Sequence, residues 1–221
     1  MRIIASFCKC NEVRFVSHLD MQRLLQRAFR RAGLPLDYSK GFNPHPLLSF
    51  ATALSVGYTS SGEYFDVMLT ENIPTDDFVN RVNAVLPNGV RIESAVDAGE
   101  FKTSLTTLMR SADYSCVLSF SRDVDRIVFR SIIEDLLSGE IIVMKKTKGG
   151  IKPVDIRPML MKLDIVNIDN NCVVLKIKGK LTTEGGLPLE LLFGALFERL
   201  GITAESTINR DKIDMNWDLI G

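Results

Sequence analysis

Twice along this chain the apolar residues run through the same order of spacings, over residues 1–99 and again over residues 112–221. Alternation marks a strand, and a spacing of three or four marks a helix. Residues 2–9 alternate, with Ile3, Ala5 and Phe7 on one face. After Ser17 the spacing turns helical, and Met21, Leu24, Leu25, Ala28, Phe29 and Ala32 form a stripe. Ser17 is the expected N-cap with Asp20 in the first turn, and Gly33 followed by Pro35 stops the helix. Residues 47–56 and 63–69 read as strands joined by a turn around Thr59-Ser60-Ser61-Gly62. A helix after Pro74, with Phe78, Val82 and Val85 inward, ends at Pro87-Asn88-Gly89 before a strand over 90–95.

The second half repeats this order. Residues 113–120 alternate, 123–137 are helical (Val124, Ile127, Val128, Ile132, Leu136), and 140–145 form a strand ended by a basic turn, KKTKGG. Residues 156–168 and 172–178 pair around Asp169-Asn170-Asn171, then 188–200 are helical and 202–208 form a last strand. Each half is therefore βαββαβ. The expected fold is α+β, two tandem ferredoxin-like units over residues 1–99 and 112–221 with a linker over 100–111. The alternative is one α+β domain with a larger mixed sheet.

With 221 residues and 46% hydrophobic content, the chain can bury a sizeable core. No segment has the roughly 18 uncharged apolar residues that span a bilayer, and MRIIASFCKC lacks the features of a secretory signal. The expected location is the cytoplasm, with no membrane partner. A reducing compartment leaves Cys8, Cys10, Cys116 and Cys172 as thiols.

Charge is unevenly spread. Residues 1–48 carry eight Lys or Arg against three acids, and residues 49–100 carry two against eight, so the neutral total conceals a polarised chain. On the first helix Asp20, Arg23, Arg27, Arg30 and Arg31 fall three or four apart, opposite the apolar stripe. Arginine offers a planar fork of donors that matches phosphate oxygens and keeps its charge. Either this row meets an anionic partner, or it is a solvated face paired with the acids of residues 63–100. The following loop, YSKGFNPHP over 38–46, sets Tyr38, Lys40, Phe42, Asn43 and His45 in a backbone restricted by prolines and freed at Gly41, an arrangement suited to stacking and hydrogen bonding on a base. Its other reading is a rigid connector.

The chain has two histidines, His18 and His45. As a general acid and base they need a third group, with Asp20 or Glu63 the candidates. As metal ligands they need Cys8 or Cys10, which share one face of a strand, and no metal site is assigned. A second basic cluster, Lys145, Lys146, Lys148, Lys152, Arg157 and Lys162, has Asp155 as the only acid within residues 141–163. No Walker loop, GxGxxG, GxSxG, HExxH or CxxxCxxC is present.

The segments SHLD with Arg23, RAFRRAGLP, YSKGFNPHP, Gly57 and Glu63 resemble the opening of the radical SAM-linked protein family. The likeness weakens after residue 70, where KPVDIRP at 152–158 and LPLELL at 187–192 continue it. Such proteins occur fused behind a cobalamin-type radical SAM enzyme or encoded beside one, and their gene context points to RNA. The resemblance implies a radical SAM partner that carries S-adenosylmethionine, an iron–sulfur cluster and cobalamin, with no cofactor on this chain, since CxxxCxxC is missing. The expected function is accessory recognition of RNA or another anionic substrate through Ser17, His18, Asp20, Arg23, Arg27, Arg30, Arg31, Tyr38, Lys40, Gly41, Phe42, Asn43, His45, Lys152 and Arg157. An RNA-processing or RNA-modifying enzyme using His18 and His45 with Asp20 or Glu63, and a protein-only adaptor, are the alternatives.

Overall fold

The computed structural model describes residues 1–99, 101–147 and 150–220. In chain order the elements are β1 (Arg2–Lys9), α1 (His18–Arg31), β2 (Leu48–Phe50), β3 (Thr59–Met68), α2 (Thr75–Asn83), β4 (Val90–Asp97), α3 (Leu105–Leu108) and β5 (Met109–Phe120). They continue with α4 (Arg126–Ser138), β6 (Ile142–Thr147), β7 (Gly150–Asp155), β8 (Leu160–Asp169), β9 (Cys172–Thr182), β10 (Gly185–Gly186), α5 (Leu189–Leu200) and β11 (Ala204–Met215). The fold is mixed α/β, and the chain divides into two units, Met1–Met109 with Asn209–Gly221, and Arg110–Ile208. The sequence reading carries residues 209–221 with the second unit; here they group with the first.

In the first unit β1 lies between β4 and β3, antiparallel to both, and β2 adds antiparallel to the far edge of β3. Ile3, Ala5 and Phe7 of β1 face α1 and α2, packing with Met21, Leu25, Phe29, Phe65, Phe78 and Val82 in one core. Strand β3 continues through Thr59–Gly62, where a turn was expected, with an irregularity in its pairing to β1 between Ser60 and Glu63. Thr59 and Ser60 pair in parallel with Asn209 and Arg210, so this stretch is held as strand from both sides. Gly62 permits it, because a Cβ there would stand 3.1 Å from the Asp211 carbonyl oxygen. Strand β2 ends at Phe50 instead of reaching residue 56, and residues 209–210 occupy the edge at Thr59 and Ser60 that residues 55–56 would have needed in that register.

The expected linker over 100–111 is structured where it is described, Glu100 being outside the described residues. Arg2, buried on the sheet's second face, pairs with Asp66 and donates from Nη1 to the carbonyls of Phe101 (2.8 Å) and Thr103 (3.0 Å). Leu105 and Leu108 of α3 follow, both fully buried, and β5 begins at Met109. A buried guanidinium needs several acceptors, and this segment supplies two of them.

In the second unit β9 pairs antiparallel with β5 and with β8. The turn between β8 and β9 has Asn170 at φ 50°, a conformation asparagine tolerates in a two-residue hairpin loop. Strands β6 and β7 pair with each other as a hairpin. Lys148 and Gly149 of the expected basic turn lie outside the described residues. Helix α4 is shifted in register from the expected stripe. Asp125 caps it, accepting from the N–H groups of Ile127 (2.8 Å) and Val128 (3.0 Å), so these two residues fall in the exposed first turn. Leu136 is buried as expected, and Phe129 and Ile133 are buried in place of the other expected residues. Replacing Asp125 by alanine is expected to cost about 1 kcal/mol of stability, and asparagine to restore most of it, in urea unfolding. An alanine variant as stable as the parent would contradict this capping role. Among the described residues no helix is long and apolar enough to cross a membrane.

Candidate functional site

Helix α1 begins with a local exchange of hydrogen bonds. The Ser17 hydroxyl accepts from the Asp20 N–H (3.2 Å) and donates to Asp20 Oδ2 (2.7 Å), while Asp20 Oδ1 takes Arg23 Nη1 at 3.0 Å. The hydroxyl, and after it Arg23, hold the Asp20 carboxyl below its ordinary range. Asp20 is thus committed to its own helix.

The remaining arginines divide. Arg31 donates to the Val85 carbonyl at 2.6 Å, whereas exposed Arg27 and Arg30 have no hydrogen bond or ion pair among the described residues. Four acids of residues 63–100 are used elsewhere: Glu63 by Arg210, Asp66 by Arg2, Asp77 by Arg81 and Glu93 by Arg91. Among the described residues no acid of residues 63–97 forms an ion pair with Arg27 or Arg30. Helix α1 presents these two guanidiniums with their donors unspent.

A small cavity of about 20 Å³ opens beside the first turn of α1, with Lys9, Ser17, His18, Thr52 and Glu63 as its polar lining. That is room for about one water molecule. The His18 ring packs edge-on against Phe50 (centroids 4.9 Å apart), and its nitrogens make no hydrogen bond among the described residues. Lys9 is 3% exposed, and its Nζ donates to the carbonyls of Arg14 (3.0 Å) and Val16 (2.9 Å). Burial lowers its pKa, and the charge of Glu63 opposes that shift. Glu63 is forked by Arg210, Nε to Oε1 at 2.7 Å and Nη2 to Oε2 at 2.6 Å. Lys9 and Arg210 were not among the expected site residues. Glu63 and Arg210 stand 147 positions apart, and no local pattern announces their meeting.

His45 belongs to a different place. The loop closes through a bridge between Tyr38 and Pro46, and His45 Nδ1 lies 2.9 Å from the Ser39 hydroxyl. Lys40, Gly41, Phe42 and Asn43 are exposed at its tip, with Gly41 at φ 154°. His45 borders an open cleft of about 460 Å³ with Arg2, Asp66 and Lys102. It precedes β2, and His18 packs on the last residue of β2, so about 16 Å of extended chain separates the two ends. His18 and His45 do not form an acid–base pair here. Neither proposed third group serves both, since Asp20 turns to Ser17 and Arg23 while Glu63 is buried with Arg210.

The thiols of Cys8 and Cys10 are 3.7 Å apart, and burial, then the hydrogen bond from Cys10, push Cys8 up to about 11. Among the described residues no group of three or more His, Cys, Asp or Glu side chains gathers as a metal site. In the second unit, Arg157 Nε donates to the Leu137 carbonyl and Nη1 to the Leu160 carbonyl, both at 3.0 Å, which ties the entry of β8 to the end of α4. Lys152 is exposed on β7.

Residues 2–186 match the model of a family described as uncharacterized proteins conserved in bacteria, DUF2344. The chain belongs to the DUF2344 family. No curated protein matches this DUF2344 chain. Among solved structures it is similar to a chain of a Cbf5-Nop10-Gar1 complex, with a TM-score of 0.56 and 10% identity over 96% of this chain and 48% of that one. It is likewise similar to a chain of an H/ACA RNP bound to a substrate RNA containing 2'-deoxyuridine, with a TM-score of 0.54 and 10% identity, over 94% of this chain and 46% of the other. A third likeness is to an archaeal box H/ACA sRNP Nop10-Cbf5 complex, with a TM-score of 0.52 and 11% identity over 94% and 46%. At these identities the likeness concerns the fold. The DUF2344 chain spans about half the length of the chains it resembles.

Proposed function

We propose that this DUF2344 protein is an accessory recognition subunit, which binds RNA or another anionic substrate along the exposed face of α1 and serves a radical SAM partner in the cytoplasm. The observation that carries the reading is the pair of exposed guanidiniums, Arg27 and Arg30, that make no hydrogen bond or ion pair among the described residues, while Glu63, Asp66 and Asp77 are spent on other cations. Unpaired arginines at helical spacing suit successive phosphates of a nucleic-acid backbone. Fully exposed Phe42 and neighbouring Lys40 add a stacking ring and a cation on the loop. Two of the similar solved structures are described as ribonucleoproteins, which favours RNA among anionic ligands. The radical SAM partner rests on the sequence resemblance, and S-adenosylmethionine, the iron–sulfur cluster and cobalamin belong to that partner.

We also read both units as ferredoxin-like. Support comes from the order β4-β1-β3-β2 with antiparallel neighbours in the first unit, and from β5, α4, β8, β9 and α5 in the second with the β6–β7 hairpin inserted. The function is tested by fluorescence anisotropy of labelled single-stranded RNA against the protein and its Arg27→Glu/Arg30→Glu variant over a range of salt. Weaker binding with a shallower salt dependence is expected of the variant. RNA affinity that ignores both substitutions would sink the reading and favour the protein-only adaptor.

A further inference from the structure

The cavity at the start of α1 has a chemistry that the arginine face does not explain. Lysine is rarely buried without an acid partner, because an ammonium loses its hydration. The acid acting on Lys9 is Glu63, and both oxygens of that carboxylate are already held by Arg210. Lys9 is left with two backbone carbonyls. An ammonium has three N–H donors, so one remains without an acceptor among the described residues, and the side chain lines the cavity. His18 lines the same cavity with both ring nitrogens unused. Ser17 and His18 at the start of α1 both line it, which brings the positive end of the helix dipole close, while the Asp20 N–H is already taken by the Ser17 hydroxyl. Asp20, the acid of the first turn, is turned away to Ser17 and Arg23.

We propose that Lys9 Nζ and the His18 imidazole form an anion pocket that takes one oxygen of a phosphoryl group. The size fits, since about 20 Å³ admits one oxygen and leaves the phosphorus and its other oxygens at the mouth. Lysine binds phosphate as a point charge, and a helix start adds a favourable dipole. Glu63 does not repel the anion strongly, because the Arg210 guanidinium already neutralises it. The pocket stands independently of whether α1 binds RNA. It can take a free phosphate or the terminal phosphate of a nucleic acid.

The two histidines make the test direct, since proton NMR shows one Cε1–H signal for each. Titration with inorganic phosphate is expected to move the His18 signal saturably and leave the His45 signal in place. Lys9→Met, which keeps the buried stem, is expected to weaken this binding roughly tenfold, the scale of one charge-assisted hydrogen bond. If Lys9→Met does not fold, His18→Gln is examined instead, with phosphate binding read by ³¹P line broadening and the same direction expected. A second arm compares a 5′-phosphorylated oligoribonucleotide with its 5′-hydroxyl form. Tighter binding of the phosphorylated form assigns the phosphoryl group to nucleic acid, and equal binding assigns it to free phosphate; either supports the pocket if His18 responds to inorganic phosphate. The proposal is overturned if the His18 signal stays still, if both histidine signals drift together, or if neither substitution weakens binding. Insensitivity of RNA binding to Arg27 and Arg30 would leave this outcome untouched.

Discussion

Replacing Glu63 by alanine is expected to destabilise the first unit by about 3–5 kcal/mol, the range for breaking a buried ion pair from one side. Glu63 is 2% exposed and Arg210 4%, and the carboxylate takes the guanidinium by two parallel bonds. Truncation removes the carboxylate but not the desolvated cation. Arg210 also anchors the parallel pairing of residues 209–210 with Thr59 and Ser60, which holds the C-terminal half of β11 on β3. The damage should therefore spread to that strand. Lys9 loses its one opposing charge, so its already lowered pKa falls further. A lysine with a depressed pKa costs stability below that pKa, and the cost fades as pH rises toward the ordinary value. Stability of the variant should accordingly recover more steeply on the alkaline side than that of the parent. Replacing both partners by apolar residues, Glu63→Leu with Arg210→Met, should return most of the loss, because it is the orphaned charge and not the missing bond that dominates. Urea unfolding of the three proteins at neutral pH measures these differences. A loss under about 1 kcal/mol for Glu63→Ala would mean that the pair behaves as a solvent-screened one.

What could be read from the sequence follows the range of the forces involved. The Ser17 cap, the Asn170 turn and the core face of β1 depend on neighbours a few positions away, and the residue types state them. The course of β3 through Thr59–Gly62 does not, because polar and small residues there look like a turn until Asn209 and Arg210 pair with them. The stretch after Ala98 looks like a linker for the same reason, since its order depends on the buried guanidinium of Arg2, a hundred residues upstream. In α4 the apolar residues Ile127 and Val128 invited a stripe one position off, and the cap at Asp125 together with packing of Phe129 on Phe120 selected the other face. At the candidate site the arginine row was legible as a pattern. Whether it was neutralised was not, because that depended on which cation each acid of residues 63–97 would meet. Equally, nothing in the spacing of His18 and His45 shows that β2 holds them apart, or that Lys9 and Arg210 converge on Glu63.

The second large effect concerns affinity. Each arginine that neutralises a phosphate of single-stranded RNA adds about 0.7 to the slope of log affinity against log salt, through release of a counterion. Arg27 and Arg30, one helical turn apart, stand to contribute about 1.4 together. Reversing both charges removes that release and sets two carboxylates against the backbone, so the loss should exceed tenfold at low ionic strength and shrink as salt rises and screens it. Both side chains are exposed without a hydrogen bond or ion pair among the described residues, so the fold should be kept, with a loss of about 1 kcal/mol or less from the carboxylate set in the last turn of α1. The direct measurement is the salt slope of single-stranded RNA binding for the parent and for Arg27→Glu/Arg30→Glu, by anisotropy at several ionic strengths. A parent slope steeper by about 1.4, with the two affinities converging at high salt, is the expected result. Parallel slopes with equal affinities, or a parent that binds no RNA at any salt, would contradict the assignment of α1 as the anion-binding face.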